Sequence, residues 1–304
     1  MQIMSLMTAL PGAAAQGLIW GIMAIGVYIT FRILDIADLT VDGTLCTGGA
    51  VCIMMMLSGH NVWVSMLAAT GAGLLAGLAT GIFHTFMGIP AILAGILTQL
   101  SLYSVNLKIM GKANQAINVD KFNLLVSLRR VKGVVLTQNT LFIVAIMIVI
   151  LIAVLYWFFG TELGCSLRAT GCNPSMSRAQ GINTDRNKVL GLMLSNGLVA
   201  LSGALLTQYQ GFADINMGRG SIVIGLAAVI IGEAIFSRIF RNFALKLLSV
   251  VFGSILYYLV LQIVIWMGID TDLLKMLSAL VVAFFLAFPY WKGKYFTKAK
   301  QGGK

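Results

Sequence analysis

The stretch QNTLFIVAIMIVILIAVLYWFFG, residues 138–160, carries no Asp, Glu, Lys or Arg. About 20 such residues, wound as a helix, cross the hydrocarbon core of a bilayer. The run is apolar on every face, whereas a barrel strand would alternate apolar and polar residues. Similar runs occupy 12–31, 62–83, 89–109, 188–209, 242–267 and 272–290, with two shorter, glycine-bearing ones at 43–58 and 220–236. Of the 304 residues 59% are hydrophobic and only 10% charged, against about 25% charged in soluble domains. The mean hydropathy is +0.93. This pattern predicts an all-α integral membrane protein: one domain over 1–304, built as a polytopic helical bundle of about eight or nine segments. No A-x-A-like site follows the run 12–31, so it is expected to remain as a span and not to be cleaved as a signal peptide.

Positive charge sets the orientation. A cytoplasmic 161–187 puts thirteen of the 21 Lys and Arg residues inside, among them Arg32, Arg238, Arg241, Lys246 and the basic tail 291–304. The amino terminus then faces out, as the positive-inside rule requires. The exception is the loop 110–137, with Lys112, Lys121, Arg129, Arg130 and Lys132. It reads either as a docking surface for an external acidic partner or as a solvated loop. The net charge of +11 is scattered beside spans and forms no groove-reading element, which argues against nucleic acid and for contact with the lipid bilayer. Cys46, Cys52, Cys165 and Cys172 have neither C-x-x-C nor zinc spacing. With His60 and His84 near span ends, no metal site and no catalytic set is arguable.

The most polar segment is GCSLRATGCNPSMSRAQGINTDRNK, residues 164–188. Asn173 is a good N-cap, Pro174 suits the first helical position, and Gly181 suits the left-handed residue that ends a helix. A helix of about two turns, Pro174 to Gln180, is expected, with Met176 and Ala179 on one face. Thr184 and Asp185 open the next helix. An exposed two-turn helix is marginal by itself, so it needs a partner. No G-x-x-x-x-G-K-[ST] run occurs, so the chain holds no phosphate-cradling loop of its own.

Two places share a local pattern. Ala37–Thr40 and Ala213–Asn216 both read Ala-Asp-apolar-Thr/Asn, followed by glycine and a short apolar run. Paired, glycine-interrupted short segments point to discontinuous helices lining a path. The candidates there are Asp38, Thr40, Asp42 and Gly43 in the first copy, and Asp214, Asn216 and Gly220 in the second. The first copy is expected at the cytoplasmic side and the second outside, as in an inverted repeat. Each aspartate also reads as a cap for the helix that follows. Gly73, Gly77 and Gly81 flatten one face of the 62–83 helix for close approach, and Trp157, Phe158, Phe159, Tyr290 and Trp291 read as belt residues.

The run 164–183 resembles the cytoplasmic coupling segment of permease subunits of bacterial ABC importers, in the branched-chain amino-acid and ribose-type family, through Gly164, Arg168, Ala169, Gly171, Asn173, Ala179, Gly181, Ile182 and Asn183. LDIADLTVDGT (34–44) and GRGSIVIGLAAVIIGE (218–233) are similar to the same family in the same register, although Glu233 stands where glycine is more usual. The resemblance implies a type II-like importer permease in the bacterial plasma or inner membrane. It implies a homodimer or heterodimer of such subunits, two ATPase subunits that bind the ATP and magnesium, and an extracellular or periplasmic substrate-binding protein; no cofactor is expected in this chain. Gly171, Asn173, Pro174, Met176, Arg178, Ala179, Gly181 and Ile182 would couple to the ATPase. The solute would be a small polar one, with an amino acid, aromatic or branched-chain, nearest to the ADLTVDG variant. An ion-driven secondary transporter working through Asp38, Asp42 or Asp214 is the alternative.

Overall fold

The computed structural model describes residues 2–119, 122, 124–131, 139–236, 240, 242–267, 273, 276, 279–284 and 287. The basic tail with Tyr290 and Trp291, Lys121, Lys132, Arg238, Arg241 and most of the expected span 272–290 lie outside the described residues. Within them are the helices α1 (Gln2–Tyr28, ending in a π turn, Ile29–Ile33), α2 (Val41–Leu57), α3 (Val62–Thr85), α4 (Ala91–Met110), α5 (Thr140–Gly160), α6 (Glu162–Cys172), α7 (Pro174–Ala179), α8 (Thr184–Gln210), α9 (Ser221–Phe236) and α10 (Phe243–Trp266). Six are long and apolar enough to cross a membrane, namely α1, α3, α4, α5, α8 and α10, and the two short apolar helices are α2 and α9.

Side-chain bonds fix the relative directions. Ser202 and Ser195 of α8 donate to the carbonyls of Ile19 and Gly26, both at 2.8 Å, so α1 and α8 are antiparallel. Ser254 of α10 donates to the Gly17 carbonyl at 2.8 Å, and α10 likewise runs against α1. Gly73, Gly77 and Gly81 abut the α8 backbone at Asn196, Leu192 and Val189, which makes α3 antiparallel to α8 through an intramolecular seam of small residues. Interior contacts of this kind suit a bilayer, where lipid tails are as apolar as leucine and close backbone packing drives association.

We call the end carrying α7 inner and the opposite end outer, following the positive charge. At the outer end β1 (Asn114–Ala116) pairs antiparallel with β2 (Phe212–Asp214), joining part of the basic loop to the turn after α8. This pairing has no periodicity signal in three residues, and the sequence alone does not announce it.

The two short helices hold opposite halves of the bundle. Thr44 donates to Asn196 at 2.7 Å and Gln208 to Cys52 at 3.7 Å, so α2 runs parallel to α8 from its middle toward the outer end. Gly225 packs on Met23 and Val27, and Glu233 pairs with Arg32 at 3.0 Å, so α9 runs with α1 toward the inner end. Asn196 lies about halfway along α8, roughly 18 Å from its start at a rise of about 1.5 Å per residue. Residues 34–40 climb back into the bundle without helix, which is tolerated at membrane depth because protein surrounds them.

That climb corrects one expectation. Asp35 is exposed near the inner end and Asp214 sits in the outer strand pair, as expected. Asp38 and Asp42, expected at the cytoplasmic interface, lie instead at mid-depth.

Candidate functional site

Both Ala-Asp copies fold into the same local device. The Thr40 amide donates to Asp38 Oδ1 at 2.9 Å, and the Asn216 amide donates to Asp214 Oδ1 at 2.7 Å. Each aspartate thus closes an Asx turn just before a short helix. Their surroundings differ. Asp38 is 2% exposed, and its other oxygen accepts from Asn196 Nδ2 at 2.7 Å. Thr40 shares a 2.7 Å bond with Thr80, which donates to Thr98 at 2.9 Å. Five elements therefore meet around buried hydroxyls, one amide and one carboxylate: the 34–40 segment, α2, α3, α4 and α8.

Asp42 joins the two halves. One carboxylate oxygen accepts from Ser221 Oγ and the Ile222 amide, and the other from the Gly220 amide, each at 2.9 Å. A residue in the first turn of α2 thereby caps α9, and the two short helices meet amino terminus to amino terminus. Gly218 is packed so closely on the Asp42 carbonyl that a Cβ there would collide with it. Gly220, at φ +83°, occupies the left-handed region that glycine enters freely.

Beside this junction lies a cavity of about 380 Å³. Asp42, Gly43 and Cys46 of α2, Gln99, Tyr103 and Asn106 of α4, and Ile215 and Arg219 are on its walls. Of the expected path residues only Asp42 and Gly43 line it; Thr40 and Asp38 are in the buried network, while Asp214 and Asn216 belong to the outer turn. Asn106, Tyr103 and Arg219 were not signalled by the sequence, since polar residues on an otherwise apolar helix gain meaning only from the neighbours they meet.

The outer surfaces of α4 and α5 differ in chemistry. α5 has a mean hydropathy of 3.1 with 17% of its span buried, and α4 only 1.3 with 22% buried. At similar exposure α5 is the more apolar, while α4 shows Ser101, Ser104 and Lys108 among exposed Leu97, Leu100, Val105 and Leu107. Arg219 is exposed beside α4 and has no ion-pair or side-chain hydrogen-bond partner among the described residues.

At the inner end the expected short helix is present. Asn173 accepts from the Met176 amide at 3.0 Å, Pro174 follows, and Gly181 takes φ +79°. The helix spans Pro174–Ala179, one residue short of the expected end. Met176, Arg178 and Ala179 are exposed, and Ser177 alone in the helix is buried. Arg178 ties α7 to the start of α8, donating to Thr184 at 2.7 Å and to Asp185 at 3.3 Å. Ahead of it stands α6, capped by Thr161 and buried through Gly164, Leu167 and Thr170. Asn187 of α8 donates to Thr170 at 2.9 Å, and Gly171 sits against the Ile33 carbonyl, where no Cβ fits. α7 is thus bonded to the start of α8, and α6 is bonded to α8 and packed on the π turn that ends α1. Ile182, half-buried, completes the connection.

Comparison with known proteins agrees with this geometry. Residues 10–286 match the family described as branched-chain amino acid transport system / permease component. The chain is 38% identical over 281 residues to the tyrosine transport system permease protein of Clostridioides difficile, covering 92% of this chain and 91% of that one. The fructose import permease protein FruF of Bifidobacterium longum is 25% identical over 246 residues, 81% of this chain and 67% of FruF. Among solved structures, a chain of PsaBC from Streptococcus pneumoniae in complex with Fab superposes with a TM-score of 0.56 at 16% identity, covering 98% of this chain and 100% of that chain, a likeness of fold. The chain thus belongs to the branched-chain amino acid transport permease family, and is a multi-pass permease of the bacterial inner membrane serving an ABC importer for small solutes.

Proposed function

We propose that this permease carries an amino acid, an aromatic one first among the candidates, by alternating access driven by ATP hydrolysis on two separate ATPase subunits. The chain pairs with a second copy of itself, receives solute from an external binding protein, and holds no cofactor. The solute passes beside the α2–α9 junction, along α4. The amino-acid reading is supported by the 38% identity to a permease named for tyrosine transport.

The observation that carries the coupling is the exposed α7 helix, formed and capped although it touches little of its own chain. Its Arg178 and the neighbouring α6 link it to α8 and α1, so closure of an ATPase pair beneath it would move the helices that hold both halves of the path. Gly181 tests this. No atom lies within 4 Å of a Cβ added there, so a side chain fits in space. Its left-handed φ of +79° opposes a β-branched residue by about 1–2 kcal/mol. Gly181→Val should leave the complex assembled and hydrolysing ATP while uptake in proteoliposomes falls at least tenfold. Uptake at the wild-type rate would remove the coupling role from this segment, and uptake by the isolated chain under an ion gradient without ATP would favour a secondary transporter.

A further inference from the structure

We propose that Arg219, with Asn106 and Tyr103, forms the solute-recognition site of the path and that it selects solutes bearing a carboxylate. The proposal rests on the permease reading above and names the chemistry of its solute.

Position and charge come first. Gly220 is bonded to Asp42, so the adjoining Arg219 enters the wall of a cavity that reaches from the α2–α9 junction to Ile215 beside the outer strand pair. A guanidinium among membrane spans is found where water or an anionic partner meets it. Arg219 is exposed beside Gln99, Tyr103 and Asn106 of α4 and unpaired among the described residues.

The usual anion site at the start of α9 is already taken. Free amides at the start of a broken helix commonly hold an anionic group of the solute. Here Asp42 occupies those of α9, and Asp38 takes the Thr40 amide before α2. At the start of α9 an incoming carboxylate therefore finds Arg219 and not free amides, and the planar guanidinium can bind both its oxygens.

A second observation points to a ligand independently. Asn106 is 1% exposed; its Nδ2 donates to the Gly43 carbonyl at 3.3 Å, while its Oδ1 has no partner. Buried amide oxygens are almost always paired. On the wall of this cavity the missing donor is supplied by a solute ammonium or by water, with a small turn of the side chain. The Asp42 charge lies on the same wall, so the cavity is positive at Arg219 and negative at Asp42, the polarity of a zwitterion. Tyr103 provides an aromatic wall, and about 380 Å³ is at the small end of volumes that hold ligands.

The test uses the full importer in proteoliposomes, with radiolabelled L-tyrosine, L-leucine and fructose as probes. The wild type should take up an amino acid. Arg219→Gln should lower that uptake at least tenfold, and Arg219→Lys should recover a substantial part. In a variant lacking the exposed Cys165 and Cys172, Arg219→Cys should react with a charged, membrane-impermeant thiol reagent, and the amino acid should slow that reaction. Unchanged amino-acid uptake by Arg219→Gln, or no labelling of the cysteine in a complex that still assembles, overturns the proposal. If the wild type imports fructose and no amino acid, the amino-acid reading falls. The carboxylate selection then falls with it, whereas unchanged amino-acid uptake by Arg219→Gln overturns the selection alone.

Discussion

Replacing Asp42 by alanine should loosen the junction of the two halves more than any exposed charge change. Three donors lose their acceptor: the amides of Gly220 and Ile222 and the Ser221 hydroxyl. The hydroxyl can rotate to a nearby carbonyl. The amides cannot, and a buried donor without a partner costs about 1–3 kcal/mol. Loss of a negative charge at the start of α9 adds up to about 1 kcal/mol. Water in the adjoining cavity can reach Gly220, so the total should settle near 3 kcal/mol, about a hundredfold in the unfolding equilibrium. Asp42→Asn keeps one acceptor oxygen for Ser221 and Ile222 but turns an NH2 toward Gly220, and should cost about half as much. The assay is unfolding of the purified chain in mixed micelles with increasing SDS, read by tryptophan fluorescence. The expected order is wild type, then Asp42→Asn, then Asp42→Ala. Equal midpoints for all three would show that the α9 amides are not held by this carboxylate, and the head-to-head arrangement would be wrong.

Other substitutions probe separate links. Gly171→Val places a side chain into the Ile33 carbonyl and should lower both the melting temperature in detergent and the yield of assembled complex. Asn196→Ala removes the donor to Asp38 Oδ2 and the acceptor for Thr44. The buried carboxylate should then cost about 3 kcal/mol, measured by the same SDS titration, and Asn196→Asp should be worse because two carboxylates would face each other. Arg178→Ala breaks an exposed ion pair with Asp185 and should change stability by less than about 1 kcal/mol while reducing solute-stimulated ATP hydrolysis, since α7 then loses its bond to Thr184.

The spans were legible because hydrophobic runs of bilayer length need no tertiary information. The α7 turn was equally plain, since Asn173, Pro174 and Gly181 each act on neighbouring backbone. The junction was not. Asp42 and Ser221 are 179 positions apart, and a carboxylate preceding a short helix reads as a cap for its own helix before one for another. The duplicated Ala-Asp motif reads as two caps, yet α9 is capped by Asp42 and not by Asp214, and sequence spacing gives no depth, so Asp38 and Asp42 are expected at an interface they do not reach. The π turn that carries Arg32 toward Glu233, the α6 helix and the β1–β2 pair likewise depend on contacts made only when the bundle closes. Arg219 drew no notice because a lone arginine between two glycines reads as a loop residue.

The glycine seam between α3 and α8 has a mechanical meaning. Along Gly73, Gly77 and Gly81 the α3 backbone rests directly on α8, and the knob beside that line is Leu74 seated on Gly197, so sliding the pair has one side chain to lift. The polar bonds of the two helices run elsewhere, from Thr80 to Thr40 and Thr98 and from Asn196 to Thr44 and Asp38, and not across the seam. A bundle jointed in this way bends at its seams while each rod stays stiff.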